Sequence, residues 1–229
     1  MSHYAVAVFA DDADFDRLLA PYNENNRDEF EFVPVNYEEI VEDFEIFKKD
    51  NPAWELDMYI ENYGYIQKDG QWGYEHNPHG YWDWYSLDGK DYMFDVRDDC
   101  TEDPESDDWI GYFRKNDYEW FKEDVEAVQD GREFWETFVE GNDPECSSMF
   151  RREYYLDRYK TKEQYLKEMS RTIPYAFITP DGAWHSAGRV GWFAMSDETA
   201  EDADRYAAEW EAYIRSDGNP YVSLVDCHI

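Results

Sequence analysis

The sequence has little of several features that define common protein classes. Its three cysteines, Cys100, Cys146 and Cys227, show no CxxC spacing, so it predicts neither a disulfide framework nor a zinc knuckle. No segment approaches the roughly 20 consecutive apolar residues that a membrane-spanning helix needs. Residues 1–9 also lack the charged region and cleavage site of a signal peptide. These absences favour a protein that stays in a reducing cytoplasm.

Basic residues are scarce as well. The chain has 21 Lys and Arg against 55 Asp and Glu, a formal net charge of −34. No basic cluster is larger than Arg151–Arg152, so direct binding to nucleic-acid phosphates is disfavoured. The excess charge favours a cationic partner, and it equally fits an acidic surface that only keeps the protein dissolved.

Aliphatic residues are outnumbered by aromatic ones. There are 44 Phe, Trp and Tyr residues against 28 Ile, Leu and Val. Aromatic side chains bury large areas, and Tyr and Trp can keep a polar tip in water. The sequence therefore predicts an aromatic-rich core under a charged surface.

The patterns along the chain predict one compact α+β domain over residues 1–229, with packed helices and a mixed sheet that contains the N- and C-terminal strands. Continuous apolar runs at Tyr4–Phe9 and Tyr221–Val225 predict these two strands. Helical spacing predicts helices at 37–47, at 116–141 with a break at Gly131, and after an N-cap at Ser196. Residues from about 54 to 110 are aromatic and punctuated by glycine, which predicts an insertion of hairpins and ordered loops.

Three segments carry a resemblance to a known family. They are 19–25 (LAPYNEN), 77–89 (NPHGYWDWYSLDG) and 225–229 (VDCHI), and together they span nearly the whole chain. The sequence resembles an uncharacterised family of bacteriophage and prophage proteins in which a Trp-Asp-Trp-Tyr motif is usually followed by Gly-Gly-Arg. Here that position reads Asp88-Gly89-Lys90, so a role that needs two glycines and an arginine is not carried over. The resemblance implies a phage setting and no particular activity.

The Trp82-Asp83-Trp84-Tyr85 motif is a candidate binding site. On a strand, alternation would place both Trp rings on one face and Asp83 with Tyr85 on the other. The rings could stack a base or a sugar while Asp83 accepts hydrogen bonds. The same pattern is also typical of an aromatic core strand.

Histidines supply further candidates. His76 and His79 could form a metal site if the fold brings them together with a carboxylate such as Asp226 or with the pair Cys227 and His228, although spacing alone does not predict one. His185 follows a turn and could act as a general base, but the default interpretation is an ordinary hairpin residue. His185 and His228 are therefore grouped with the motif as candidate pocket residues, and no cofactor is predicted.

Two acidic clusters form a candidate interaction surface. The segment 98–108 is also weighed as a calcium loop, but it lacks the ligand spacing of an EF-hand. The carboxylates of the two clusters are Asp98, Asp99, Glu102, Asp103, Glu105, Asp107 and Asp108, and Glu198, Glu201, Asp202 and Asp204.

These features lead to three hypotheses. The first is an acidic, DNA-mimic-like anti-defence protein. It would bind and inhibit a host nucleic-acid-handling or defence enzyme, such as a nuclease or CRISPR effector, by contacting the basic surface of that enzyme. The second is a nucleotide-binding or small-molecule-binding protein or enzyme with an aromatic pocket, and the third is a virion or assembly component. The sequence shows no nucleophile elbow, phosphate loop or deaminase motif. A carboxylate-based metal enzyme needs none of these, so the question of catalysis stays open.

Overall fold

The chain forms two compact units. The main unit contains residues 1–19 and 84–229, and the inserted unit contains residues 20–83. Each unit has its own β-sheet. The computed structural model describes residues 3–12, 14–86, 113–121, 125–141, 148, 150–189 and 198–229.

The described residues contain eight strands and seven α-helices. The strands are β1 (His3–Ala10), β2 (Glu31–Pro34), β3 (Ile66–Lys68), β4 (Gln71–His76), β5 (Trp84–Ser86), β6 (Ala176–Ile178), β7 (Trp184–Ser186) and β8 (Tyr221–His228). The helices are α1 (Phe15–Leu19), α2 (Tyr37–Phe47), α3 (Leu56–Asn62), α4 (Val125–Phe134), α5 (Arg152–Arg158), α6 (Lys162–Met169) and α7 (Ala200–Arg215).

The main unit is built on a five-stranded mixed sheet in the order β5-β8-β1-β6-β7. β1 runs antiparallel to β8 over its whole length, from His3 opposite His228 to Ala10 opposite Tyr221. On its other side, β1 runs parallel to β6. The predicted α+β class and the shared sheet of the two terminal strands are confirmed.

The core of the main unit is aromatic, as the composition predicts. One face of β1 carries Ala7 and Phe9, which pack with the α7 residues Tyr206 and Trp210. The ring centroids of Phe9 and Trp210 lie 6.0 Å apart, within the range of favourable aromatic pairs. α7 therefore covers this face mainly with aromatic rings, together with Ile214.

Helix α4 continues through Gly131, so the predicted break is wrong. A Cβ atom at Gly131 would lie 3.0 Å from Met169 Cγ and 3.4 Å from Tyr165 Cε1, both on α6. The glycine therefore allows α4 and α6 to approach closely. A π-helical turn, Trp135–Glu140, follows α4, and the helical segment ends at Gly141, as predicted.

Both ends of α7 are capped by side chains. At its N-terminus, Thr199 and Asp202 form a capping box, so the N-cap is Thr199 and the predicted cap at Ser196 is wrong. At its C-terminus, the buried Lys115 donates from Nζ to the carbonyl oxygens of Ser216 at 2.7 Å and Tyr213 at 3.3 Å. These contacts attach residues 113–121 to the end of α7.

The inserted unit has a three-stranded antiparallel sheet in the order β2-β4-β3. Asp69 and Gly70, both with positive φ, form the turn between β3 and β4, as expected for an Asp-Gly hairpin. Helices α2 and α3 bury Ile40, Phe44 and Tyr59 together. No helix of the described residues is long and apolar enough to cross a membrane.

Candidate functional site

The Trp82–Tyr85 motif does not form one continuous strand. Trp82 is buried in the inserted unit, where its carbonyl accepts from Glu24 N at 2.8 Å and its backbone bridges to Asn23. Asp83 is the last residue of that unit, and β5 begins at Trp84 in the main unit. The predicted strand alternation of the two Trp rings is therefore not observed.

Trp84 and His228 do come together, because β5 and β8 are paired with these two residues opposite each other. Their rings are stacked at a centroid distance of 5.1 Å. His3, which lies opposite His228 on β1, completes a group of three rings. His3 Nδ1 is 3.1 Å from Asp226 Oδ2, two residues along β8 on the same face. These contacts can hold the His3 imidazole in a fixed orientation. Trp84, which lies beside it, is 45% exposed.

The opposite face of the same strands carries Tyr85 and Cys227. Tyr85 donates a hydrogen bond to Asp16, and burial together with this bond raises the pKa of the Tyr85 phenol. Burial and the charge of Asp226 raise the pKa of the Cys227 thiol, so the thiol stays protonated at neutral pH. Neighbouring residues on a strand point to opposite faces, so Cys227 and His228 do not converge on one ligand.

His185 lies at the other end of the sheet, on β7. Its ring stacks on Phe177 at a centroid distance of 4.5 Å, and its Nδ1 is 3.7 Å from Glu209 Oε2. Strands β8, β1 and β6 separate β7 from β5, so His185 and Trp84 do not line one pocket.

The metal sites considered for the histidines find no support in the geometry of the described residues. His76 lies on β4, while His79 lies in the turn after it and is exposed. Across the described ranges, no group of three or more His, Cys, Asp or Glu residues is arranged to hold a metal ion.

Three of the four carboxylates of the second acidic cluster are engaged within the protein, and the fourth, Glu201, is exposed. Asp202 caps α7, while Glu198 pairs with Arg158. Asp204 contacts two cations, Lys167 and Arg171. Glu198 and Asp204 therefore connect the N-terminal end of α7 to α5 and α6. The first cluster, Asp98–Asp108, lies outside the described residues.

The sequence interpretation missed the outer face of α2. While Ile40 and Phe44 face the core, the helix has five carboxylates, all exposed, and none forms an ion pair among the described residues. They are Glu38, Glu39, Glu42, Asp43 and Glu45. We call these five residues, together with Ile46, the α2 acidic face. The signal was present, because the carboxylates fill the positions between the apolar residues that predict the helix.

Ile46 lies within this face. It is 63% exposed, although it is a large aliphatic residue. Glu42 and Asp43, four and three residues earlier, are its neighbours on the helix surface. The inserted unit as a whole has 16 acidic and four basic residues, a formal charge of −12.

No protein-family model, curated protein or solved structure matches the chain.

Proposed function

We propose that the protein binds and inhibits a nucleic-acid-handling or defence enzyme of a host cell, acting as an anti-defence protein in the host cytoplasm. It places the α2 acidic face in the cationic groove that otherwise holds nucleic acid. The observation that carries this proposal is the density of exposed carboxylates on α2.

The charge spacing on α2 is close to that of nucleic acid. Residues 38–45 span about 12 Å of helix at about 1.5 Å per residue. Five carboxylates over this length give about one negative charge per 2.4 Å of helix axis. Double-stranded DNA carries about one charge per 1.7 Å, and each of its strands about one per 3.4 Å. A groove whose Lys and Arg residues match DNA therefore meets a similar linear charge density on α2.

The apolar side chain within the face adds what nucleic acid lacks. Ile46 can be desolvated on binding, while the carboxylates around it pair with cations of the partner. Fully burying such a side chain is worth about 1.5–3 kcal/mol. The charges thus favour the encounter, and Ile46 slows dissociation.

The experiment is a cleavage assay. A CRISPR effector nuclease and a restriction endonuclease cut plasmid DNA with increasing amounts of the protein, at about 50 and about 200 mM salt. We expect inhibition of at least one of them, weaker at the higher salt because exposed charges are screened.

A matched pair of variants tests the site. Glu38→Gln/Glu42→Gln/Glu45→Gln removes three charges from the α2 acidic face. Glu126→Gln/Glu133→Gln/Glu153→Gln removes three exposed charges from the main unit. We expect only the first variant to lose about tenfold or more in potency. Equal potency of the two variants would exclude α2 as the site, and no inhibition of either enzyme at either salt concentration would refute the proposed function.

A further inference from the structure

A cavity of about 450 Å³ in the main unit lies among α5, α6 and the start of α7. Its volume is within the range of about 300–1,000 Å³ that is typical of small-molecule sites. Its lining includes four Lys or Arg and five Asp or Glu residues. The whole chain has 21 basic and 55 acidic residues. The cavity lining is therefore much richer in basic residues, relative to acidic ones, than the chain as a whole.

One part of the lining has an excess of positive charge. Asp204 Oδ1 is 2.8 Å from Lys167 Nζ and 2.7 Å from Arg171 Nη2. Two cations therefore share one carboxylate, and in fact one oxygen atom. An added anion could pair with either cation without displacing Asp204 from the other.

Another part of the lining brings two carboxylates close to one guanidinium group. Arg158 is largely buried and contacts two carboxylates, Glu198 and, at 3.4 Å, Glu168. Tyr159 Oη donates to Glu168 Oε1 at 2.7 Å. Burial and the charge of Glu168 raise the pKa of Tyr159, so the phenol contributes no charge at neutral pH. This part of the cavity can therefore present two carboxylates, Glu168 and Glu198, to a cationic group.

We propose that this cavity binds a small zwitterion of the amino-acid class, with its carboxylate at Lys167 and Arg171 and its ammonium group at Glu168 and Glu198. A ligand with both charges can pair with the two cations of the first part and with the two carboxylates of the second. A simple amine or a simple acid can pair with only one of these two parts. The volume accommodates a free amino acid or a dipeptide. The inference does not rest on the α2 acidic face, which belongs to the other unit.

The first experiment is a thermal-shift screen of the full chain with the twenty L-amino acids and a set of glycyl dipeptides. A ligand that binds only the folded protein raises Tm. We expect a rise with at least one amphoteric probe. If none of the probes raised Tm, the proposal would be overturned.

Calorimetric titration with matched analogues then tests the charge requirement. For a phenylalanine probe, these are phenethylamine, which lacks the carboxylate, and 3-phenylpropionate, which lacks the ammonium group. We expect each analogue to bind at least about tenfold more weakly, because it loses one charge-assisted contact. An analogue that binds as tightly as the amino acid would contradict the zwitterion assignment.

Variants locate the site. Arg171→Gln and Lys167→Gln each remove one of the two cations on Asp204, and we expect about tenfold weaker binding of the amphoteric probe. Arg215→Gln is the control, since Arg215 forms an exposed ion pair with Glu211 and does not line the cavity. Circular dichroism and Tm without ligand verify that the variants are folded. Unchanged affinity in both cavity variants would place the bound probe elsewhere and refute the assignment.

Discussion

Replacing Lys115 by Met tests how residues 113–121 are attached to α7. Lys115 is 2% exposed, and its ammonium group donates to carbonyl oxygens of Tyr213 and Ser216. Methionine has a similar length but neither charge nor donor. The end of α7 therefore loses a cation next to its last carbonyl groups, and Ser216 O loses the hydrogen bond from Lys115 Nζ.

The expected loss follows from these contacts. A hydrogen bond to a charged group contributes about 1.5–3 kcal/mol, and a buried acceptor without its donor costs about 1–3 kcal/mol. Tyr213 O keeps its hydrogen bonds from Ser216 N and Ser216 Oγ, so the main loss is at Ser216 O, and removal of a buried ammonium group relieves part of its desolvation cost. We expect a net decrease of about 1–3 kcal/mol in the free energy of unfolding. Urea unfolding measures it, with Lys49→Met, at an exposed lysine, as the control.

The pH dependence gives a second criterion. Burial lowers the pKa of Lys115 from its ordinary value of 10.5, and the charge of Asp217 partly opposes this. Between the lowered value and 10.5, the unfolded chain binds more protons at this lysine than the folded one. The free energy of unfolding of the wild type therefore rises with pH in this window relative to Lys115→Met. A variant as stable as the wild type, or a difference that narrows towards pH 10, would refute this account.

Three further predictions concern single positions. Gly73→Ala should strongly destabilise the inserted unit, because a Cβ atom there would lie 2.2 Å from Val33 O, and a thermal melt like that of the wild type would contradict this. Trp210→Ala should cost about 3–5 kcal/mol in urea unfolding, as for other buried aromatic residues, and a loss below about 1 kcal/mol would contradict its central place in the core. Hydrogen bonds from the Thr199 side chain and backbone lower the pKa of Asp202 to about 2, so its stabilising contribution is lost as pH falls from 3.8 to about 2. NMR titration of the Asp202 carboxyl group measures this, and a midpoint near 3.8 would contradict it.

The main elements of the fold could be predicted because they depend on local patterns. A continuous apolar run predicts a strand covered on both faces, and β1 and β8 are such strands. The apolar stripe of Tyr206, Trp210 and Ile214 likewise predicts the buried side of α7. The prediction of a single cooperative domain remains to be tested, and calorimetry can determine whether the two units unfold in one transition.

Other features depend on contacts that local patterns do not encode. Gly131 has the low helix propensity that predicts a break, but its missing side chain allows Met169 to pack against α4. Ser196 and Thr199 are both suitable N-cap residues, and only Thr199 has a carboxylate three residues later to complete a capping box. In these two cases tertiary packing or a second side chain decides the outcome.

The candidate sites illustrate the same limit. The stack of Trp84 on His228 depends on strand register between segments that are distant in sequence. The cavity depends on how α5, α6 and α7 pack. The contact of two cations, Lys167 and Arg171, with Asp204 follows from this packing and has no signature in the sequence. The α2 acidic face, in contrast, could have been found from the sequence by examining the polar side of the predicted helix.

The position of β1 in its sheet has a consequence for biosynthesis. Seven of its eight residues are buried, yet its partners β6 and β8 are translated long afterwards, with Asp226 following His3 by 223 residues. At about 5–20 residues per second, a ribosome needs about 10–45 s to cover that distance. During this time the nascent chain exposes an unpaired apolar strand, while the inserted unit, whose contacts are more local, can already fold. We therefore expect the emerging N-terminal segment to require protection by a chaperone until the C-terminal strand leaves the ribosome.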